Sequence, residues 1–167
     1  YSAIYGHSPA AVTGKPLALG GSAGRDKATG YGIGIVVKEY AERRGIELKN
    51  ATAAIQGFGN VGVHAARAFT ELGMKVIAIS DSRSAVFRKG GVDIDALIRH
   101  KQERGLLSDT EDHEAMDPAR LLETECDFLV PAALGDAITV ENAARIAART
   151  IVEGANGPVT SEADRLL

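Results

Sequence analysis

Residues 51–81 constrain the fold more tightly than any other stretch of this 167-residue chain. They read ATAAIQ, then Gly57-Phe58-Gly59-Asn60-Val61-Gly62, then a helical segment, then KVIAIS, then Asp81. The helical segment carries Val61, Ala65, Ala68, Phe69 and Leu72 on one face at 3.6-residue spacing. Gly73 closes it. The order is strand, glycine turn, helix, strand, acid. Two strands joined by a helix pair in parallel, and the crossover is right-handed. A G-x-G-x-x-G alone is a weak signal. A preceding strand, a helix opening inside it and an acidic residue about 20 positions on make it specific. All three conditions are met.

This unit can hold a dinucleotide. Gly57 allows the tight turn, Gly59 lets a pyrophosphate approach the backbone, and Gly62 lets helix and strand pack closely. Free N–H groups at the helix start, together with the helix dipole, favour phosphate there. Asp81 is placed to accept hydrogen bonds from the adenosine ribose hydroxyls. The plain alternative is a close-packed turn with no ligand, and for Asp81 a solvated strand-end acid. A second glycine series, Gly30-x-Gly32-x-Gly34, has no strand before it and lies inside a predicted helix. It is therefore no fingerprint.

The rest of the chain repeats the alternation. Residues 1–24 read as irregular, with Pro9, Pro16 and Gly20-Gly21. A helix is predicted over 26–44, with Ile33, Val36, Val37, Tyr40 and Ala41 on one face and Gly45 ending it. Gly30, Gly32 and Gly34 weaken its first half by roughly 1 kcal/mol each relative to Ala. They imply a close approach there by backbone or ligand. Strands are expected at 51–56, 75–80, 127–130 and 150–153, with a small extra one at 85–89. Asp93 caps a helix that Gly105 stops. Asp117-Pro118 and Thr160 each start a helix, and another is expected over 140–148. Residues 108–117 read as an acidic surface loop. The expected fold is α/β, a Rossmann-type doubly wound, mostly parallel sheet with helices on both faces, in one domain over 1–167.

Composition narrows the function classes. The formal net charge is -3, so no basic field points to nucleic acid. No apolar run approaches the ~18 residues of a membrane span. The single cysteine, Cys126, permits no disulfide within the chain, which fits a cytoplasmic setting. Cys126 starts a buried strand and reads as a small core hydrophobe. His7, His64, His100 and His113 lack metal-ligand spacing with Asp or Glu. His64 lies off its helix's apolar stripe and reads as a surface residue. The acidic loop lacks the glycine and ligand order of a calcium loop.

In a doubly wound sheet, ligands bind beyond the carboxyl ends of the strands. The unusual loops fall at those ends: the glycine turn, SDS at 80–82, PAALG at 131–135 and EGANGP at 153–158. Asn156 has both donor and acceptor atoms for an amide-bearing ring. Alternatively it is a turn residue adopting a left-handed conformation. Arg83 is close enough to pair with a ribose 2'-phosphate, which Asp81 would repel.

Four segments together resemble the hexameric-type glutamate dehydrogenases: TGKPLALGGSAGRDKATGYG at 13–32, IQGFGNVG at 55–62, CDFLVPAA at 126–133 and EGANGPVTSEAD at 153–164. The resemblance runs nearly end to end and implies the cofactor-binding domain of that family, in a fragment of a longer homo-hexameric enzyme. It implies NAD or NADP as cofactor, with L-glutamate, 2-oxoglutarate and ammonia as reactants. It implies that Thr29 and Asn156 hold the nicotinamide side and that Arg25 helps hold the substrate carboxylate. It also implies that Phe58, Gly59, Asn60 and Val61 bind the pyrophosphate and nearby ribose. Asp81 and Ser82 would meet the adenosine ribose, and Ala132 and Ala133 would line the path between the two ends. The family's catalytic lysine comes from another domain; Lys15 is not its counterpart, so no catalytic residue is expected here. The rival expectations are a leucine, phenylalanine or valine dehydrogenase domain, a non-catalytic nucleotide-binding regulatory module, and a methyltransferase using S-adenosylmethionine.

Overall fold

The computed structural model describes residues 2–105, 107 and 113–167. The expected loop at 108–117 falls partly outside these residues. The described helices are α1 (Ser2–Tyr5), α2 (Arg25–Arg44), α3 (Asn60–Glu71), α4 (Ile94–Arg104) and α5 (Ser161–Asp164). The strands are β1 (Thr52–Gln56), β2 (Lys75–Ser80), β3 (Ala85–Phe87), β4 (Glu114–Met116), β5 (Phe128–Pro131) and β6 (Thr150–Ile151). They form one sheet in the order β4-β3-β2-β1-β5-β6. β1 pairs in parallel with β2 and β5, and β5 with β6. The β2–β3 and β3–β4 pairs are antiparallel. The sheet is thus mixed, mostly parallel, and of Rossmann type.

Strand alternation gives the sheet two buried faces. One buries Ala53, Ile55, Val76, Phe128 and Val130 under α2, α3 and α4, through Val37, Phe69 and Leu97. The other buries Ala54, Ile77, Ala78 and Leu129 under short connections, through Leu121, Ile138 and Ala163. Helices therefore lie on both faces, but those on the second face are brief: 3-10 turns at Pro118–Glu123 and Ala143–Arg145, and α5.

The close approach implied by the α2 glycines is made by protein. A Cβ on Gly30 would lie 2.5 Å from the His64 Cβ and 2.6 Å from the Val61 carbonyl oxygen. One on Gly34 would lie 2.6 Å from the Ala68 Cβ. These two glycines let the α2 and α3 backbones meet. Gly32 faces open space.

Four expectations need correction. Val36 is 59% exposed, because Gly30, Ile33, Gly34, Val37 and Ala41 form the buried stripe. Val36 sits about a third of a turn from that stripe's centre at ~100° per residue. The helix expected over 140–148 is only the turn Ala143–Arg145. Asn142 Oδ1 accepts from the Thr139 N–H and its Nδ2 donates to the Ala137 carbonyl, so the side chain builds a turn where a helix needs free backbone. Residues 114–116 form a strand rather than loop, because β3 offers them a partner. His64 is half-buried rather than a surface residue, its Cβ facing Gly30 and its ring centroid 5.9 Å from that of Tyr31.

The start and stop signals do operate. The Ala96 N–H donates to Asp93 Oδ1 at 2.9 Å, and Gly105 ends α4 with φ 77°. Asp117 caps the turn at Pro118, and Thr160 caps α5. Among the described residues, no helix is long and apolar enough to cross a membrane.

Candidate functional site

The parallel strands β2, β1, β5 and β6 end on one edge, and backbone hydrogen bonds join the loops that leave them. The Gly57 N–H donates to the Ser80 carbonyl at 2.9 Å. The Ala132 N–H donates to the Gln56 carbonyl at 2.8 Å. The Gly154 and Ala155 N–H groups both donate to the Pro131 carbonyl at 3.0 Å. Four loops far apart in sequence therefore form one continuous rim.

The glycine turn has the geometry its spacing implies. Gly57 has φ 110°, in the region that favours glycine. A Cβ there would also lie 3.0 Å from the Ala132 carbonyl oxygen. A Cβ on Gly62 would strike the Gly57 carbonyl oxygen, so this glycine is required by the packing of the turn itself. Gly59 is different: a Cβ there meets nothing within 4 Å. It faces open space at the start of α3, and no side chain caps that helix end. The first-turn N–H groups, from Asn60 and Val61 onward, are thus directed at the rim with no partner inside the helix. Gly59 and Asn60 are exposed, Val61 is half-buried, and the Phe58 ring is buried. Phe58 contributes its backbone to the rim while its side chain packs inward.

Asp81 stands at the end of β2 but is not a free carboxylate. Its Oδ1 accepts from the Arg83 N–H at 2.9 Å and the Ser84 N–H at 2.8 Å. Its Oδ2 accepts from Lys101 Nζ at 2.7 Å. Burial would raise its pKa, but the hydrogen bonds from Lys101, Arg83 and Ser84 outweigh that, and the carboxyl is held below the usual range. The Lys101 ammonium also lies 5.4 Å from the centroid of the Phe58 ring. With Gln102, it brings α4 to a hollow of about 300 Å³ beside Phe58, Gly59 and Asn60. Arg83 turns away, its Nη2 donating to the Gly105 carbonyl at 2.7 Å.

The remaining residues divide. Ser82 and Ala133 are exposed on the rim, and Ala132 is half-buried between β1 and the 153–158 loop. Asn156 is exposed, and the left-handed position of its turn is taken by Gly157, φ 57°. Its amide is therefore not explained by a left-handed backbone. The Ile33 side chain of α2 would lie 3.1 Å from a Cβ on Gly154, and Thr29 precedes Ile33 by about one helical turn on α2. Thr29 and Arg25 are both exposed. Arg25 borders its own hollow of about 450 Å³ with Thr13, Lys15 and Asp26, apart from the glycine turn.

Sequence reasoning missed three participants. Gln56 Oε1 and Ser80 Oγ, at paired positions ending β1 and β2, are buried without a hydrogen-bond partner among the described residues. Such orphans cost about 1–3 kcal/mol each unless a ligand or water meets them. Both end apolar runs, which is their only sequence signal. The third is Lys101, which looks like any exposed helix lysine until the fold brings it to β2.

The sequence pattern of the Glutamate/Leucine/Phenylalanine/Valine dehydrogenase family matches residues 20–167. The chain is 48% identical over 169 residues to a glutamate dehydrogenase of Thermotoga maritima, covering 100% of this chain and 41% of that protein. It is 44% identical over 161 residues to the cryptic catabolic NAD-specific glutamate dehydrogenase of Bacillus subtilis, covering 96% and 38%. Its fold superposes on the Leu-bound hetero-hexameric glutamate dehydrogenase from Thermus thermophilus with a TM-score of 0.87 at 35% identity, covering 99% and 39%. The chain spans about two fifths of the length of these relatives. Sequence pattern, fold and rim agree, and the chain belongs to the Glutamate/Leucine/Phenylalanine/Valine dehydrogenase family.

Proposed function

We propose that this chain binds a nicotinamide dinucleotide, NAD or NADP, as the cofactor domain of a glutamate dehydrogenase. The whole protein then interconverts L-glutamate with 2-oxoglutarate and ammonia, as a homo-hexamer. The observation that carries this reading is the combination of open space at Gly59 with an uncapped α3 on the rim. A turn built for packing alone has no need of a glycine there. The orphaned Gln56 and Ser80 oxygens support a polar occupant of the same edge.

When bound, the nicotinamide accepts or returns the substrate hydride. This chain's part is to bind and orient. Gly57 and Gly62 set the turn, while the Gly59 backbone and the N–H groups of Asn60 and Val61 hold the pyrophosphate. Asp81 and Ser82 read the adenosine ribose. Ala132 and Ala133 keep the path between the two ends narrow. Thr29 and Asn156 hold the carboxamide, and Arg25 draws the substrate carboxylate toward the cleft. The proton-transfer groups come from outside this chain.

Calorimetric titration of the chain with NAD, NADP and S-adenosylmethionine tests the binding claim. Saturable heat with either nicotinamide dinucleotide supports it. Heat with S-adenosylmethionine alone, or with none of the three, overturns it. For the whole enzyme, leucine turnover without glutamate turnover would move the assignment to another branch of the family.

A further inference from the structure

Of the four asparagines in this chain, Asn156 is the one followed by glycine. The side-chain carbonyl carbon of an asparagine is open to attack by the backbone nitrogen of the next residue. The side chain of that next residue normally obstructs the approach, and Gly157 has none.

The fold adds no restraint in its place. Asn156 and Gly157 are both exposed, and a Cβ on Gly157 would meet nothing within 4 Å. Among the described residues, neither the Asn156 side-chain amide nor the Gly157 N–H makes a hydrogen bond. The loop is anchored on either side of them. The Gly154 and Ala155 N–H groups hold the Pro131 carbonyl, the Asp136 N–H donates to the Gly157 carbonyl at 2.9 Å, and the Ile138 N–H donates to the Pro158 carbonyl at 2.8 Å. None of these contacts uses the Gly157 nitrogen.

The other three asparagines are protected. After Asn50, the Ala51 N–H donates to the Leu48 carbonyl at 3.0 Å. After Asn142, the Ala143 N–H donates to the Thr139 carbonyl at 2.9 Å, and the Asn142 side chain is tied through both its oxygen and its nitrogen. Asn60 is followed by the β-branched Val61, and both lie in α3.

We propose that Asn156 is a spontaneous deamidation site, and that its conversion disables the nicotinamide end of the rim. The Gly157 nitrogen attacks Asn156 Cγ. A C–N bond forms, the bond from Cγ to Nδ2 breaks, and the side-chain nitrogen leaves as ammonia with the Gly157 proton. Water then opens the cyclic imide at either carbonyl. One product is aspartate. The other is isoaspartate, in which the main chain runs through the side chain and is one atom longer. The sum is amide plus water to carboxylate plus ammonium, with no change of oxidation state. Either product replaces a donor-and-acceptor amide by an acceptor-only carboxylate. Isoaspartate also displaces the turn. The loss of function rests on the cofactor reading of Asn156, whereas the reaction does not.

The test incubates the 167-residue chain at mildly alkaline pH, with and without NAD, and then digests it with trypsin at mildly acidic pH. The tryptic peptide 150–165 contains Asn156 and no other asparagine. Mass spectrometry should show this peptide passing from amide to acid, as two chromatographic species. The rate should exceed that in the peptides holding Asn50, Asn60 and Asn142 by about tenfold. NAD at about ten times its Kd should slow the conversion by about tenfold, because the bound cofactor holds the amide. Asn156→Gln, whose ring closure is larger and slower, should remove the conversion. Asn156→Asp should weaken NAD binding by about tenfold in calorimetry with an unchanged Tm. A rate at Asn156 no faster than at the other three sites would overturn the proposal. So would a rate that NAD does not slow, or undiminished NAD affinity in the converted chain and in Asn156→Asp. Fresh chain that binds no dinucleotide would overturn the cofactor reading and with it the loss of function, while the rate at residue 156 still decides the modification site.

Discussion

Lys101 Nζ lies 2.7 Å from Asp81 Oδ2, and the pair joins α4 to the end of β2 beside the glycine turn. Asp81 is only 8% exposed at its side chain, so this contact is not a screened surface pair. It neutralises the acid expected to read the ribose, and it holds a cation at the same strand end.

Replacing Asp81 by Ala should relax any preference against NADP. The repulsion is removed and the Lys101 ammonium is freed at the same place. The ratio of NAD to NADP affinities, measured by calorimetry, should shift toward NADP. An unchanged ratio would mean that Asp81 does not read the ribose. The turn at 83–84 loses its acceptor, so stability should also fall by about 1–3 kcal/mol.

The same residue gives an acid-stability signature. Its folded pKa is lowered below the unfolded value of about 3.9. Its stabilisation is therefore complete above the unfolded value and is lost as pH falls through the folded one. Denaturant unfolding followed from about pH 5 to pH 2 should show a steeper loss for the parent chain than for Asp81→Asn. Parallel curves would show that Asp81 makes no net contribution.

Gly59→Val separates binding from folding. The position faces open space and its backbone is extended, with φ -100° and ψ -165°, so valine fits the unliganded chain. The Tm should change little while affinity for either dinucleotide is abolished, because the side chain fills the place of the pyrophosphate. Unchanged affinity would remove the glycine turn from the site.

Two glycines of α2 should respond in opposite directions. Gly34→Ala places a methyl group 2.6 Å from the Ala68 Cβ and should cost about 1–3 kcal/mol by forcing α2 off α3. Gly32→Ala meets nothing and should add about 0.5–1 kcal/mol through helix propensity and a less flexible unfolded chain. Thermal unfolding of the two variants measures both. A gain from Gly34→Ala would show that the helices can separate at no cost.

Local chemistry by itself determined the strand–turn–helix–strand unit over 51–81, the caps at Asp93, Asp117 and Thr160, the glycine stops, and the identity of the rim loops. Each depends on residues within one or two turns of chain. Other features were decided by residues distant in sequence. Residues 114–116 became a strand because β3 supplied its hydrogen-bond partners, and 140–148 failed as a helix because Asn142 held the Thr139 and Ala137 backbone. Gly30, Gly32 and Gly34 looked equivalent, yet only the packing of α3 separates the two that are required from the one that is not. The rim was partly legible, since its glycines and Asp81 announce themselves by spacing. Lys101, Gln56 and Ser80 could not be read that way. A lysine on a helix and a polar residue ending an apolar run acquire meaning only when the folded sheet edge brings other groups to them, or leaves them buried with none.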